Sequence, residues 1–245
     1  METTTRTPSV ARAATLPQRP REQIKEDFTP IGAGQPCVDP AALRSILECD
    51  ASVVAITVWQ YHHMLQAGTI IEGAPIELLE GMLVWKNGSA RGGNPMTLGD
   101  RHIFAVGGLA ELLPLLRAFN CHIRTQATLA LSSTQEPEPD GAIVRGTRKD
   151  YADRRPGPAD TSSVIEVADS SLAEDRNVKL GIYANAGIPQ YMIINIPDRQ
   201  IEIYEHPLAG HGRYEKTGII KAGQNVSLLL PDGKRLEVPA AELLP

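Results

Sequence analysis

Residues 161–196 read TSSVIEVADSSLAEDRNVKLGIYANAGIPQYMIINI, and this block limits the fold more than any other stretch of the chain. Its two apolar runs, 161–167 and 190–196, have the length and β-branched content of strands. Between them, Leu172 to Ala186 reads as a helix, Gly187 supplies a C-terminal stop and Pro189 follows. Strands before and after a central helix require helices packed on a sheet, so the chain is predicted to be a mixed α/β or α+β domain.

The same reasoning predicts the flanking elements. Residues 40–49 form a short helix, and Thr57 caps a second one through WQYHHMLQAG, with Gly68 as its stop. IELLEGMLVWK (76–86) reads as two strands turning near Glu80 and Gly81. From 98 to 119, Ile103, Val106, Leu109, Leu113 and Leu116 keep helical spacing, and Pro114 kinks or ends that helix. Residues 122–131, 140–144 and 200–206 read as strands, with a turn at Pro197 and Asp198 and a PDG turn at 231–233 among further C-terminal strands. The expected fold is a mixed central sheet flanked by helices. Residues 1–36 have no periodic apolar face and read as a disordered tail, leaving 37–245 as one domain. Arg6, Arg12, Arg19 and Arg21 in the tail could brush a polyanion, but a solvated tail is the plainer reading.

Aromatics make up only 4% of the 245 residues, so the core must rest on Leu, Ile, Val and Ala. The net charge of -5 argues against indiscriminate coating of nucleic acid, though not against a local basic strip. The densest such strip is 145–155, with Arg145, Arg148, Lys149, Arg154 and Arg155; phosphate contact and a solvated loop are equally good readings of it. Cys37, Cys49 and Cys121 are too few and too scattered for a disulfide framework or a zinc site. No apolar run approaches the roughly 20 residues needed to cross a bilayer, and no signal pattern opens the chain, so a soluble cytoplasmic protein with no membrane partner is expected.

Four groups with chemical potential fall in order. Asp140 opens a strand after Pro139, Glu166 sits within the next strand, Lys179 lies in the helix that follows, and His102 precedes all three on a helix. Two carboxylates on neighbouring strands can hold Mg²⁺, an ion that favours oxygen ligands, and the Val167 carbonyl is a plausible additional ligand. Such an ion activates water and shields phosphoryl oxygens, while a nearby ammonium stabilises developing charge. Each residue also has a plainer reading. Asp140 could be a turn residue, and Lys179 a surface lysine paired with Asp175 one turn earlier. Glu166 resists such a reading, because an unpaired carboxylate in an apolar strand is costly. Ser170 and Ser171 read as helix caps, Tyr183 and Tyr191 as packing, and the adjacent His62 and His63 point in different directions.

The stretches IELLEGMLV (76–84), RHIFAVGGLAELL (101–113), EPDGAIV (138–144) and VIEVADSSLAEDRNVKLGIYANAGIPQYMIINIPDRQIEIYEHP (164–207) resemble the Uma-type family of restriction-endonuclease-like proteins, within the PD-(D/E)XK nuclease superfamily. The likeness spans about residues 53–210. It implies a metal-dependent endonuclease acting on DNA, using Mg²⁺ or Mn²⁺, with Asp140 and Glu166 as metal ligands. The superfamily's usual lysine stands two residues after the glutamate, where this chain has Ala168; the Uma-type pattern places it on the next helix, matching Lys179. Glu77 matches an acidic residue of the family's first hairpin, and His102 a histidine of its helix. Superfamily members often dimerise, so a homodimer is one expected assembly, with no apolar stripe to assign its interface. The missing lysine at 168 and the acidic balance leave a second reading open: a module on the same fold that binds nucleic acid or protein without turnover. Hydrolysis of a small phosphate ester would use the same metal logic, but no Gly-rich phosphate loop points to it.

Overall fold

The computed structural model describes residues 30–31, 38–49, 52–86 and 99–245. Most of the expected tail, including its four arginines, lies outside the described residues. Ile31 forms a parallel bridge with Ile70.

The first helices start where capping chemistry allows. Asp39 accepts a hydrogen bond from the Ala41 N–H to open α1 (Pro40–Glu48), and Thr57 and Gln60 form a reciprocal capping box on α2 (Val58–Gln66). Strands β1 (Ile76–Leu79) and β2 (Met82–Trp85) pair as a hairpin. Its turn residues Glu80 and Gly81 both have positive φ, 51° and 71°, as a tight hairpin turn requires. A Cβ at Gly81 would lie 2.4 Å from that of Ala55, so glycine also lets the preceding segment pack there. The Leu78 carbonyl accepts the Glu136 N–H at 2.9 Å, which ties β1 to the chain just before Asp140.

Helix α3 (Asp100–Glu111) ends where Pro114 enters, and α4 (Leu113–Arg117) begins with that proline in its first turn. Strands β3 (Cys121–Thr125), β4 (Gly141–Arg145), β5 (Thr161–Ala168), β6 (Gln190–Asn195), β7 (Gln200–Leu208) and β8 (Arg213–Lys221) form one sheet in sequence order. β5 and β6 run parallel and every other neighbouring pair antiparallel. Between β5 and β6 the chain makes α5 (Leu172–Glu174), a π turn (Asp175–Lys179) and α6 (Leu180–Asn185). Gly187 ends this crossover at φ 75°. Strands β9 (Asn225–Leu229) and β10 (Arg235–Pro239) form a separate hairpin whose turn includes Gly233.

Two cores sandwich the sheet. On one face Ile143, Ile165, Val167, Met192 and Ile194 pack against α3, α4 and the β9–β10 hairpin. On the other, Ala142, Val144, Val164, Ala168 and Ile193 pack against Leu79, Ile182, Tyr183 and Ile188. The alternation of β5 therefore assigns Glu166 to the face covered by the crossover helix and the β1–β2 hairpin. All eight residues of β5 are buried, as a central strand covered on both faces must be.

The expected mixed sheet with flanking helices and extra C-terminal strands is present. One predicted strand is shorter than read: the ladder of 122–131 stops at Thr125. Gln126 turns at φ 48°, and beyond it Leu129, Ala130 and Leu131 donate to Pro137, Pro156 and Gln135 in turn. Leu129 and Leu131 are buried by scattered loop contacts instead of a continuous ladder. The basic loop after β4 also carries short 3-10 turns, one of which buries Tyr151.

Candidate functional site

The end of β5 is where the chemistry-bearing residues gather. Glu166 is buried, and its Oε1 accepts the Tyr183 hydroxyl at 2.7 Å. The same oxygen lies 3.1 Å from Lys179 Nζ. Lys179 Nζ is also 3.8 Å from Glu77 Oε2 and 4.0 Å from Asp175 Oδ1. Lys179 is thus no surface lysine: its side chain runs inward from the π turn to a cluster of acids. Asp175, Lys179 and Tyr183 are spaced by four along the crossover, which sets them on its sheet-facing side.

Asp140 stands one residue before β4. Because Gly141 pairs with Ile165 in an antiparallel ladder, the register carries Asp140 opposite Glu166. Its Oδ2 accepts the Val167 N–H at 2.8 Å and its Oδ1 lies 3.1 Å from His102 Nε2. Val167 therefore meets Asp140 through its backbone N–H. His102 on α3 and Glu77 on β1 bracket the cluster from opposite sides, and the Glu138 N–H donates to Glu77 Oε1 at 3.2 Å. Lys86, after β2, is 3.0 Å from Glu138 and 3.7 Å from Glu77 at the rim.

Burial and crowding of like charge shape the titration of these groups. Burial pushes the Glu166 carboxyl up to about 8; Lys179 opposes that shift, and Asp175, Asp140 and Glu77 add to it. Burial also raises Asp175 and Glu174 above the usual carboxylate range. Burial would lower Lys179, but Glu166, Glu77 and Asp175 outweigh it and hold the ammonium charged. Asp140 behaves oppositely to Glu166: burial would raise it, yet the His102 contact and the Val167 N–H keep it below the usual value. The same contact raises His102 against the effect of its own burial.

Three buried carboxylates share one ammonium, with a fourth across the strand register, so the cluster carries surplus negative charge. Its donors are all oxygens apart from the His102 ring, a chemistry that suits a hard dication. Among the described residues no group of three or more His, Cys, Asp or Glu is arranged as a ready-made metal centre. Asp140 has both oxygens engaged, and Glu166 Oε1 serves Lys179 and Tyr183. The donor set fits a divalent ion in charge and hardness, and Asp140 and Glu166 are the pair able to reach it from adjacent strands.

Sequence reasoning missed two features. Tyr183, read as packing, is fully buried and bonds Glu166; its spacing of four from Lys179 was the available signal. Asp175, read as a supporting or surface group, is buried, and Ser171 Oγ donates to its Oδ2 at 2.6 Å. Ser171 does occupy the N-cap position of α5 but makes no capping bond, its hydroxyl being spent on Asp175. Glu77, named as a candidate from the family resemblance, is buried beside Lys179, unlike an ordinary hairpin carboxylate. The basic strip is largely consumed internally: Arg154 pairs with Asp160 through two hydrogen bonds, Arg155 reaches Glu136, and Arg145 reaches the Pro231 carbonyl. His62 and His63 do diverge, the first to Glu136 and the second to the Trp59 carbonyl.

A mixed sheet with an acid and lysine cluster at the end of its parallel pair defines a restriction-endonuclease-like domain. Residues 99–239, more than half of the chain, match the family described as "Uma2: Putative restriction endonuclease". The chain belongs to that family, as the sequence resemblance indicated. The matched segment holds Asp140, Glu166 and Lys179; Glu77 lies before it. The fold is similar to that of a solved structure described as a "putative nuclease belonging to DUF820 from Anabaena variabilis ATCC 29413", with a TM-score of 0.54 and 13% identity, over 77% of this chain and 97% of that one. At that identity the likeness speaks for the fold alone. No curated protein matches the chain. Among the described residues, no helix is long and apolar enough to cross a membrane.

Proposed function

We propose that the chain is a divalent-metal-dependent endonuclease that hydrolyses DNA phosphodiester bonds, with Mg²⁺ or Mn²⁺ held by Asp140, Glu166 and the Val167 carbonyl. The observation that carries this reading is the Lys179 ammonium 3.1 Å from Glu166 inside an acid-rich cluster. Ala168, where a strand lysine would stand, is fully buried, and the crossover helix supplies the cation in its place.

A divalent ion would contribute Lewis acidity, lowering the pKa of water and shielding phosphoryl oxygens. The residues do the rest. Lys179, kept charged by its acidic neighbours, orients a water and stabilises negative charge growing on the phosphate. Tyr183 fixes the Glu166 carboxylate in one orientation. His102 and the Val167 N–H do the same for Asp140, so neither acid must reorganise when substrate arrives. Glu77 holds the far side of the lysine.

The test is plasmid nicking by the purified chain in Mg²⁺, Mn²⁺ and EDTA, alongside Lys179→Ala and Asp140→Ala. Metal-dependent nicking lost in both variants supports the reading, and nicking that survives Asp140→Ala sinks it. One observation favours a second reading, a binding module without turnover: Asp140 already has both oxygens satisfied by protein donors. Metal-independent DNA binding with no nicking under any condition would select that reading.

A further inference from the structure

Helix α3 turns one face to the sheet and the opposite face to solvent. His102, Ala105 and Leu109 are buried on the inner side. Ile103 and Phe104, 54% and 51% exposed, point outward, and the exposed Gly107 and Ala110 follow them. At about 100° per residue, all of these outward positions fall within about 60° of Gly107 around the helix. The exposed Pro114 and Leu115 carry the apolar stripe on into α4. Ile103, which the apolar spacing of 103–116 assigns to the buried side, is therefore a surface residue.

Two adjacent glycines stand in the middle of this helix, each unfavourable there relative to alanine. Gly108 has an internal reason: a Cβ at that position would lie 2.5 Å from the Glu242 carbonyl oxygen. Gly107 has none, because a Cβ there would meet no described atom within 4 Å. Gly107 nevertheless occupies the centre of the apolar stripe. A missing side chain at that point lets a second helix approach closely, since side chains at the contact set the distance between packed helices.

The charges around the stripe indicate what the second helix is. Asp100 and Arg101 stand at its start and Glu111 and Arg117 at its far end. None of the four is in an ion pair with a described residue. Arg101 and Glu111 are about 15 Å apart along the helix, too far to pair with each other. An antiparallel copy of α3 crossing at Gly107 reverses the order of charges. Arg101 then falls about 3 Å in axial position from the partner's Glu111, on the same flank of the stripe. Asp100 comes within reach of the partner's Arg117. A two-fold axis repeats each pair, so one patch serves both copies.

We propose that the chain forms a homodimer in which two α3 helices cross antiparallel at Gly107. Ile103 of each copy packs on Ala110 of the other, Phe104 closes over the partner's Gly107, and Arg101–Glu111 pairs between copies fix the orientation. His102 leaves the same turn inward to Asp140, so the interface backs onto the histidine wall of each acid cluster. One helix pair buries less surface than a standard interface, which places the dissociation constant at roughly micromolar. The association requires no catalysis and stands apart from the nuclease reading.

The experiment is sedimentation equilibrium of the full chain from about 1 to 200 μM. The expected mass rises from 26.5 kDa to twice that value. Gly107→Leu should weaken association about tenfold or more while the monomer melts no lower, because leucine favours the helix and only blocks the crossing. Arg101→Glu and Glu111→Arg should each weaken it about tenfold alone. An equimolar mixture of those two variants should associate like the parent, since each mismatched charge then faces its opposite. A mass that stays at 26.5 kDa throughout overturns the proposal and gives the face to a different occupant. A dimer that Gly107→Leu leaves intact, or that the mixture of charge variants does not restore, overturns it as well.

Discussion

Two groups of buried carboxylates flank the crossover helix, and they have opposite characters. Glu202 on β7 accepts from Arg176 with both oxygens, and also from Asn195, Gln200 and Tyr204. Although burial opposes it, those donors hold Glu202 down to about 2. Glu205 is treated alike by Lys216, Arg235 and Gln190. Around Lys179 the balance is reversed, with three acids for one cation and Glu166 pushed up to about 8. A fold able to satisfy Glu202 so completely is not short of donors. The lesson is that the surplus charge around Glu166 supports the proposed chemistry there, since the acids of β7 come with their partners. Arg176 and Lys179 leave the same π turn towards the two groups, so the satisfied cluster anchors the unsatisfied one.

The largest effect should come from removing the shared cation. Lys179→Met is expected to lower nicking about 100-fold or more. It should also cost about 3–5 kcal/mol in urea unfolding at pH 8, less at pH 5, where the orphaned acids take up protons. A variant as stable and active as the parent would erase the distinction between the clusters.

Next comes Glu166→Gln. An acid raised to about 8 in the fold, from a usual value of 4.5, binds more protons folded than unfolded between those limits. In EDTA, stability therefore falls as pH rises through that window, and the Gln variant should flatten the fall and melt about 2–4 °C higher at pH 8. Added Mg²⁺ should raise the melting temperature of the parent and not of this variant. Glu202→Gln tests the opposite slope. An acid depressed to about 2 contributes stability above its unfolded value, lost as pH falls from about 4.5 to 2. The variant should lose about 2 kcal/mol at pH 7 and show less acid sensitivity, measured by thermal melts from pH 2 to 7. Tyr183→Phe should have the smallest effect, about 1 kcal/mol in stability and up to about tenfold in nicking rate, because it frees Glu166 without removing charge.

Much of this arrangement was legible in the chain. The strand, helix and strand of 161–196, the stop at Gly187 and the break at Pro114 all follow from local chemistry, and Asp140, Glu166 and Lys179 stood out by type and order. What escaped were consequences of packing at long range. Glu77 is picked out only by the family resemblance, because nothing in IELL reveals that residues 136–138 will cover it. Residues 127–131 alternate like a strand, but Gln126 turns the backbone, and no neighbour is left to extend the ladder. The π turn has no signature, because Leu172, Leu180 and Ile182 would suit an uninterrupted α-helix equally well.

That π turn sets the rotational phase of everything after it. The Leu180 N–H reaches back five residues to the Asp175 carbonyl, and the Tyr191 hydroxyl takes a further share of that oxygen at 3.1 Å. One surplus residue in a helix shifts the downstream register by about 100°. Excising one exposed position such as Asn177 would restore ordinary winding and bring Lys179 to three residues from Asp175, re-aiming its ammonium relative to Glu166 while β5 and β6 kept their pairing. Loss or gain of a single codon here works as a switch of phase, able to separate the fold's persistence from its chemistry in one step.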